Sequence, residues 1–288
     1  MQKIFILIVI YYLFNSGLAV SEPSTFLWSV NNIDNSPKIY LLGSIHIADK
    51  RLYPLPDAIE SAYEKSDALI LEVVIDKVNP LKLMQHLTYK DHRTLESELS
   101  KDVFEKVSAK FEEIGISKIV YNKFKPWFAM LTLQSGMFKS SGFSASQGID
   151  MYFLDKARKE GKKVDEIENI ESQIKLLEDL GSYTGEYLGN MIDELDNADS
   201  TMANILEIWK SGDIGKMEEF TKSGDDKAEY AEVMNLLNFE RNKRMAEKIE
   251  EYYNDDKIYF IIVGAAHLIG EKGLVEILKS KNYNIIRY

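Results

Sequence analysis

The chain has 288 residues, 45% of them hydrophobic and 11% aromatic, which is enough to bury a large core and too much for a disordered polymer. A formal net charge of −11 argues against generic binding to nucleic acid or to an anionic membrane face. There is no cysteine, which excludes thiol catalysis, Cys-ligated zinc, a disulfide framework and lipoprotein acylation.

The N-terminus reads MQKIFILIVIYYLFNSGLAVSEPS, with Lys3 ahead of an apolar run from Ile4 to Phe14 and a small-x-small site at Gly17-Leu18-Ala19. That run is short for a bilayer span, so residues 1–19 read as a cleaved signal peptide rather than an uncleaved anchor. The expectation is an exported protein, periplasmic or secreted, with one domain over 20–288 and no stable membrane span after cleavage. No repeat, low-complexity tract or Pro/Gly-rich linker divides that domain.

Next come TFLWSV and KIYLLGS, rich in β-branched and aromatic residues and joined by NNIDNSP; they predict an antiparallel hairpin. Pro56 opens a short helix on which Leu55, Ile59, Ala62 and Tyr63 fall at helical spacing. ALILEVV follows, apolar on both faces except for Glu72, as a buried parallel strand reads. Strand, helix and strand in so short a stretch make a βαβ unit.

The mid-chain, 76–160 and 170–255, is mostly helical by pattern. Ser100 caps a helix carrying Val103, Val107, Phe111 and Ile114, and another starts near KPWFAM. GIDMYFLDKARKEG predicts a helix ending near Gly161, followed by a short strand, KKVDEI. ESQIKLLEDL, the stretch from Asp199 to Trp209, and a long segment from about Asp226 to Tyr253 are helical in turn. The chain closes with strand KIYFIIV, helix KGLVEILKS and strand NYNIIRY. The fold class is α/β: a central mixed or parallel sheet flanked by helices, with a large mid-chain helical insertion.

Two of the four histidines stand in the same local setting. YLLGSIH and IIVGAAH each run from a strand to a Gly and place a His three residues later, at His46 and His267. In parallel α/β sheets the ligand crevice lies beyond the carboxyl ends of the strands. Glu72 near the end of ALILEVV and Glu168 just after KKVDEI reach the same edge. Two neutral imidazoles with one or two carboxylates make a divalent-metal site. Each residue also has a plainer reading: a turn or packing role for either His, a structural salt bridge for Glu72, a first-turn helix acid for Glu168.

On the long helix, Phe239, Asn242, Ala246, Ile249 and Tyr253 form one stripe, and Met234, Leu237, Arg241 and Met245 a neighbouring face. A polar amide and a guanidinium on an apolar side need partners inside the fold. Arg241 either grips a carboxylate or oxyanion or lays its stem over the core with its head in water. His86 and His92, in the polar stretch HLTYKDHR, read as surface residues. No H-E-x-x-H, G-x-S-x-G or phosphate-binding glycine motif occurs.

Taken in order, LWSV, YLLGSIH, LILEVV, KPWFAM, GIDMYFLDKA, IENIESQ, WKSGD, FERN and VGAAHLIGEKGL resemble the TraB/GumN family, which is related to the TIKI proteins. Carried over by position, the resemblance marks His46, Glu72, Arg241, Asn242 and His267 as active-site residues, and Glu168 with them. Ser44 and Asn169 each stand where the family usually has Thr. The resemblance implies a fold like that of erythromycin esterase and the haem-binding ChaN. It also implies a metal-dependent protease using Mn²⁺ or Co²⁺ more readily than Zn²⁺, with a peptide or protein as substrate. On that basis His46, His267, Glu72 and Glu168 are expected at a metal, and Glu72, Arg241 and Asn242 in catalysis. A non-catalytic haem- or metal-binding envelope protein and a vestigial site are the alternatives.

Overall fold

The structure is a computed structural model that describes residues 25–74, 80–179, 197–222 and 238–288, with 188, 189, 192 and 195 in between. The expected signal segment, residues 1–19, lies outside the described residues. So does the part of the expected long helix from Asp226 to Leu237, including Met234.

Among the described residues, six strands form one mixed sheet: β1 (Leu27–Asn31), β2 (Pro37–Ser44), β3 (Ala68–Leu71), β4 (Lys163–Glu166), β5 (Tyr259–Gly264) and β6 (Asn284–Arg287). Their order across the sheet is β4-β3-β5-β2-β1-β6. The expected hairpin is present, with β1 antiparallel to β2, and β6 pairs antiparallel with the other edge of β1. Strands β2, β5, β3 and β4 run parallel to one another. The predicted βαβ unit therefore spans β5: β2 and β3 lie on either side of it, and the chain fills that slot only near its end.

Helices fill the connections in the order α1 (Asp57–Glu64), α2 (Pro80–Leu87), α3 (Leu95–Glu98), α4 (Lys101–Glu113), α5 (Lys118–Tyr121), α6 (Pro126–Ser140) and α7 (Ile149–Glu160). After β4 come α8 (Ile170–Asp179), α9 (Ala198–Ser211), α10 (Ile214–Lys222) and α11 (Glu240–Tyr253), and after β5 come α12 (Ala265–Leu268) and α13 (Leu274–Ser280). The sequence cues hold locally. The Ser100 hydroxyl accepts from Val103 N at the start of α4, and Gly161 ends α7 in the left-handed region at φ 71°. On α4 it is Phe104, with Val107 and Phe111, that is buried, while Val103 packs at the margin.

Strand alternation sets the two layers. Phe260 of β5 meets Tyr63 of α1 and Phe153 of α7 at ring separations of 5.6 and 5.0 Å. Its neighbour Tyr259, turned to the opposite face, meets Tyr252 of α11 at 4.7 Å. Each of the buried rings Tyr63, Phe153, Tyr259 and Phe260 contributes on the order of 2–3 kcal/mol of transfer free energy, and the half-buried Tyr252 less. On α11 the residues Asn242, Met245, Ala246 and Ile249 recur at helical spacing and are buried, and Arg241 is carried inward with them. Among the described residues, no helix is long and apolar enough to cross a membrane.

Candidate functional site

The parallel register brings four strand exits to one level. Ser44 of β2 is paired with Gly264 of β5, and Leu71 of β3 with both Ile262 of β5 and Glu166 of β4. Glu72 therefore leaves β3 beside Val263 and Gly264, and the ladder continues one step further, with Glu168 N donating to Glu72 O at 2.9 Å. His46, Glu72, Glu168 and His267 all stand at this carboxyl edge. His86 and His92 are exposed elsewhere.

Glu72 is the buried acid anticipated from its strand. Its Oε2 accepts from Gly264 N at 3.1 Å, and its Oε1 takes the Arg241 Nη2 donor and a 3.0 Å bond from Gln173 Nε2. Burial alone would raise its pKa. His267, Arg241 and His46, together with the Gly264 amide, outweigh burial and hold it down to about 2. Glu168 lies on the same guanidinium: Arg241 Nε reaches its two oxygens at 3.2 and 3.0 Å, and Nη2 reaches Oε2 at 2.6 Å. Gln173 Nε2 also donates to Glu168 Oε2, at 3.2 Å. Two carboxylates are thus held side by side by one guanidinium and one amide. Ile174, buried against Leu87 and Trp127, fixes α8 so that Gln173 reaches them.

His267 sits on the single turn of α12 and is buried. Its Nδ1 lies 2.6 Å from Asn242 Oδ1. The Asn242 amide is oriented by its own Nδ2, which donates to Lys272 O at 2.9 Å, so Oδ1 is the face left for the imidazole. Nδ1 is therefore the donor, and Nε2 keeps its lone pair, 3.9 Å from Glu72 Oε2. Burial pushes the His267 pKa down to about 4, so the ring is neutral at pH 7.

His46 is arranged in the same sense but at the surface, its side chain 58% exposed. Its Nδ1 is 2.8 Å from Asp150 Oδ2, and a carboxylate can only accept there. The Asp150 charge raises the His46 pKa to about 9. The remaining ring nitrogen faces the same point as the other groups. A methyl group on Gly264 would stand 3.2 Å from His46 Nε2, 3.6 Å from His267 Cδ2 and 3.8 Å from Glu72 Oε2. A side chain at Gly264 would crowd His46 Nε2 and enter the space these three groups share.

The donor set fits a divalent ion: two imidazoles, each with Nδ1 engaged by an oxygen, and one carboxylate oxygen beside them, although His46 carries a proton at pH 7 in metal-free protein and an ion would have to displace it from Nε2. Among the described residues, no three His, Asp or Glu side chains already converge at coordination distance. Glu168 has both oxygens engaged by Arg241 and Gln173. Sequence reasoning missed Asp150, Gln173 and the buttressing hydroxyl of Ser44, which donates to Asp150 Oδ1 at 3.1 Å. Both Asp150 and Gln173 lie in stretches that carried the family resemblance, GIDMYFLDKA and IENIESQ, and that was the available signal.

A mixed α/β sheet with paired histidines and a buried acid–guanidinium cluster at the carboxyl edge of its parallel strands defines the class. Within it, the chain belongs to the TraB/PrgY/gumN family, whose model matches residues 26–287. It is 24% identical to the uncharacterized protein YbaP of Escherichia coli (strain K12) over 246 residues, 83% of this chain and 87% of that protein. It is 25% identical to a metalloprotease TIKI homolog of Amphimedon queenslandica and 20% to metalloprotease TIKI2 of Danio rerio, over 92% of this chain in both cases. The matched region is 61% of the length of each of those two relatives. No solved structure matches the chain, so the likeness to erythromycin esterase and ChaN rests on the sequence resemblance alone.

Proposed function

We propose that the chain is a metal-dependent hydrolase acting on peptide bonds, exported by residues 1–19 to the cell envelope or beyond. The observation that carries this reading is the convergence of His46 Nε2, the His267 ring and Glu72 Oε2 on Gly264, with each imidazole Nδ1 already tied to an oxygen acceptor. The metalloprotease names of the TIKI relatives support it.

In this reading His46, His267 and Glu72 hold the ion through Nε2, Nε2 and Oε2. Bound there, a divalent ion supplies Lewis-acid polarisation of the scissile carbonyl. A carboxyl held near 2 is a weak base, so Glu72 acts as an anionic ligand rather than in proton transfer. Arg241, charged and fixed between the two acids, offers electrostatic stabilisation to an oxyanion or grips a substrate carboxylate. Glu168 and Gln173 position Arg241, and Asn242 positions His267.

The test is the metal content of purified protein, measured with cleavage of a peptide library before and after chelation, with Mn²⁺ and Co²⁺ as the first ions restored. Cleavage lost on chelation and recovered with either ion is the expected result. Cleavage indifferent to chelation, or a Soret band on adding haem without any cleavage, would overturn the proposal.

A further inference from the structure

Outside the groups that converge on Gly264, the molecule contains a second matched construction. Three consecutive residues at the start of α7, Gly148-Ile149-Asp150, are docked residue by residue onto Ser44-Ile45-His46 at the exit of β2. Ile149 N donates to Ile45 O at 3.1 Å. Asp150 Oδ1 accepts from Ser44 Oγ at 3.1 Å, and Oδ2 accepts from His46 Nδ1 at 2.8 Å. Gly148 packs so closely that a methyl group there would lie 2.2 Å from the His46 carbonyl oxygen. The segment before it is pinned as well: Ala48 and Ser144 exchange backbone bonds, and Tyr53 Oη donates to Gln147 O at 2.9 Å.

His46 needs such support more than His267 does. The His267 ring is enclosed, whereas the His46 side chain is 58% exposed on a short loop, and among the described residues its ring hydrogen bond is the one to Asp150. An exposed imidazole without a fixed acceptor samples several rotamers, and only some of them turn Nε2 toward Gly264.

We propose that Asp150 is the positioning residue of His46, and that Gly148-Ile149-Asp150 forms a brace presenting Nε2 of an otherwise exposed histidine to the site. As a statement about metal binding this rests on the metal-hydrolase reading above; as a statement about the His46 rotamer it does not. Each residue of the brace has one task. Gly148 permits close approach, Ile149 fixes the backbone of the loop, and Asp150 divides its two oxygens between the hydroxyl of Ser44 and the ring. The Ser44 bond holds the carboxylate in the plane that suits Nδ1, so Ser44 acts through Asp150.

The experiment uses the mature chain and two readouts. In metal-free protein, three-bond NMR couplings report the χ1 rotamer of His46, and calorimetric titration with Mn²⁺ reports affinity. The wild type should show one rotamer; Asp150→Ala should average it and weaken Mn²⁺ binding roughly 10–100-fold. Asp150→Asn, which keeps an acceptor oxygen at the same reach, should restore the rotamer and most of the affinity. Should the alanine variant fail to fold, Asp150→Ser keeps a polar residue in the first turn of α7 without reaching His46, and carries the same test. A folded Asp150→Ala or Asp150→Ser protein with His46 in its wild-type rotamer would overturn the brace. If the wild type takes neither Mn²⁺ nor Co²⁺ in the same titration, the metal-hydrolase reading fails, and the rotamer measurement still decides the role of Asp150.

Discussion

His267 and Asn242 are joined by a 2.6 Å contact between Nδ1 and Oδ1, and the other end of the same amide is fastened to the Lys272 carbonyl. The amide therefore cannot turn over without losing both bonds, and the imidazole has one tautomer. Asn242 lies on α11 and His267 follows β5, so the bond also ties a helix on one face of the sheet to the carboxyl edge of a central strand.

Asn242→Leu keeps the volume and removes both hydrogen bonds. It leaves the buried His267 Nδ1–H without its partner and frees the Lys272 carbonyl at an exposed residue, at a cost of about 1–3 kcal/mol of stability by urea denaturation. Mn²⁺ affinity should fall about tenfold or more, because the proton on the imidazole is then free to move to Nε2. Unchanged metal affinity in a folded Asn242→Leu protein would remove Asn242 from the site.

The acid–guanidinium cluster makes two variants diverge. Glu72→Gln preserves shape and leaves Arg241 with Glu168, so the fold should lose little while metal binding collapses. Arg241→Met keeps the length but leaves two buried carboxylates facing each other without a cation, which costs about 3–5 kcal/mol. Paired denaturation curves and metal titrations check this. A Glu72→Gln protein as unstable as Arg241→Met would show that Glu72 serves the fold rather than an ion.

Much of this site was legible because strand patterns say where chains exit a sheet. YLLGSIH and IIVGAAH place a histidine just past a buried strand, and ALILEVV exposes its one acid by contrast. What the sequence left out was the tertiary pairing. Asp150 in GID reads as a first-turn helix acid, and nothing local distinguishes it from a residue that only complements the helix dipole. Gln173, one turn into α8, reads as a solvent-facing amide, yet it contacts Glu72 101 residues earlier. The place of β5 between β2 and β3 is equally hidden, since Gly264 N meets Glu72 across 192 residues. The roles expected of Glu72 were also open in the sequence, and the bonds to its two oxygens are what favour an anionic ligand over a base.

The two histidines predict a stability profile with two limbs in metal-free protein. The folded pKa of His267 is near 4, below the ordinary value of about 6.5. Between those values the unfolded chain binds a proton that the folded chain refuses, so stability falls as pH drops from about 6.5 to 4, by about 3 kcal/mol in total. His46 behaves in the opposite sense. Its folded pKa is near 9, so its contribution is complete below about 6.5 and is lost as pH rises through 9. Denaturation at a series of pH values in chelator should peak near pH 6.5. His267→Ala should flatten the acid limb and His46→Ala the alkaline one; a profile unchanged by either substitution would contradict these assignments.

The contributions of His46 and His267 to metal binding should be coupled. The two histidines are 221 positions apart in the chain but face one glycine, and residues sharing one ion cannot contribute independently. Losing either imidazole leaves an incomplete set of donors around Gly264, so His46→Ala and His267→Ala should each weaken Mn²⁺ binding sharply. The double variant should be little worse than either single one. Peptide cleavage should follow the same pattern, because groups acting as a unit show strongly non-additive losses. Calorimetric titration of the three variants against the wild type completes the cycle. Additive losses, or one histidine whose removal changes nothing, would separate the two motifs and return His46 to the surface, held by Asp150 for a purpose other than metal.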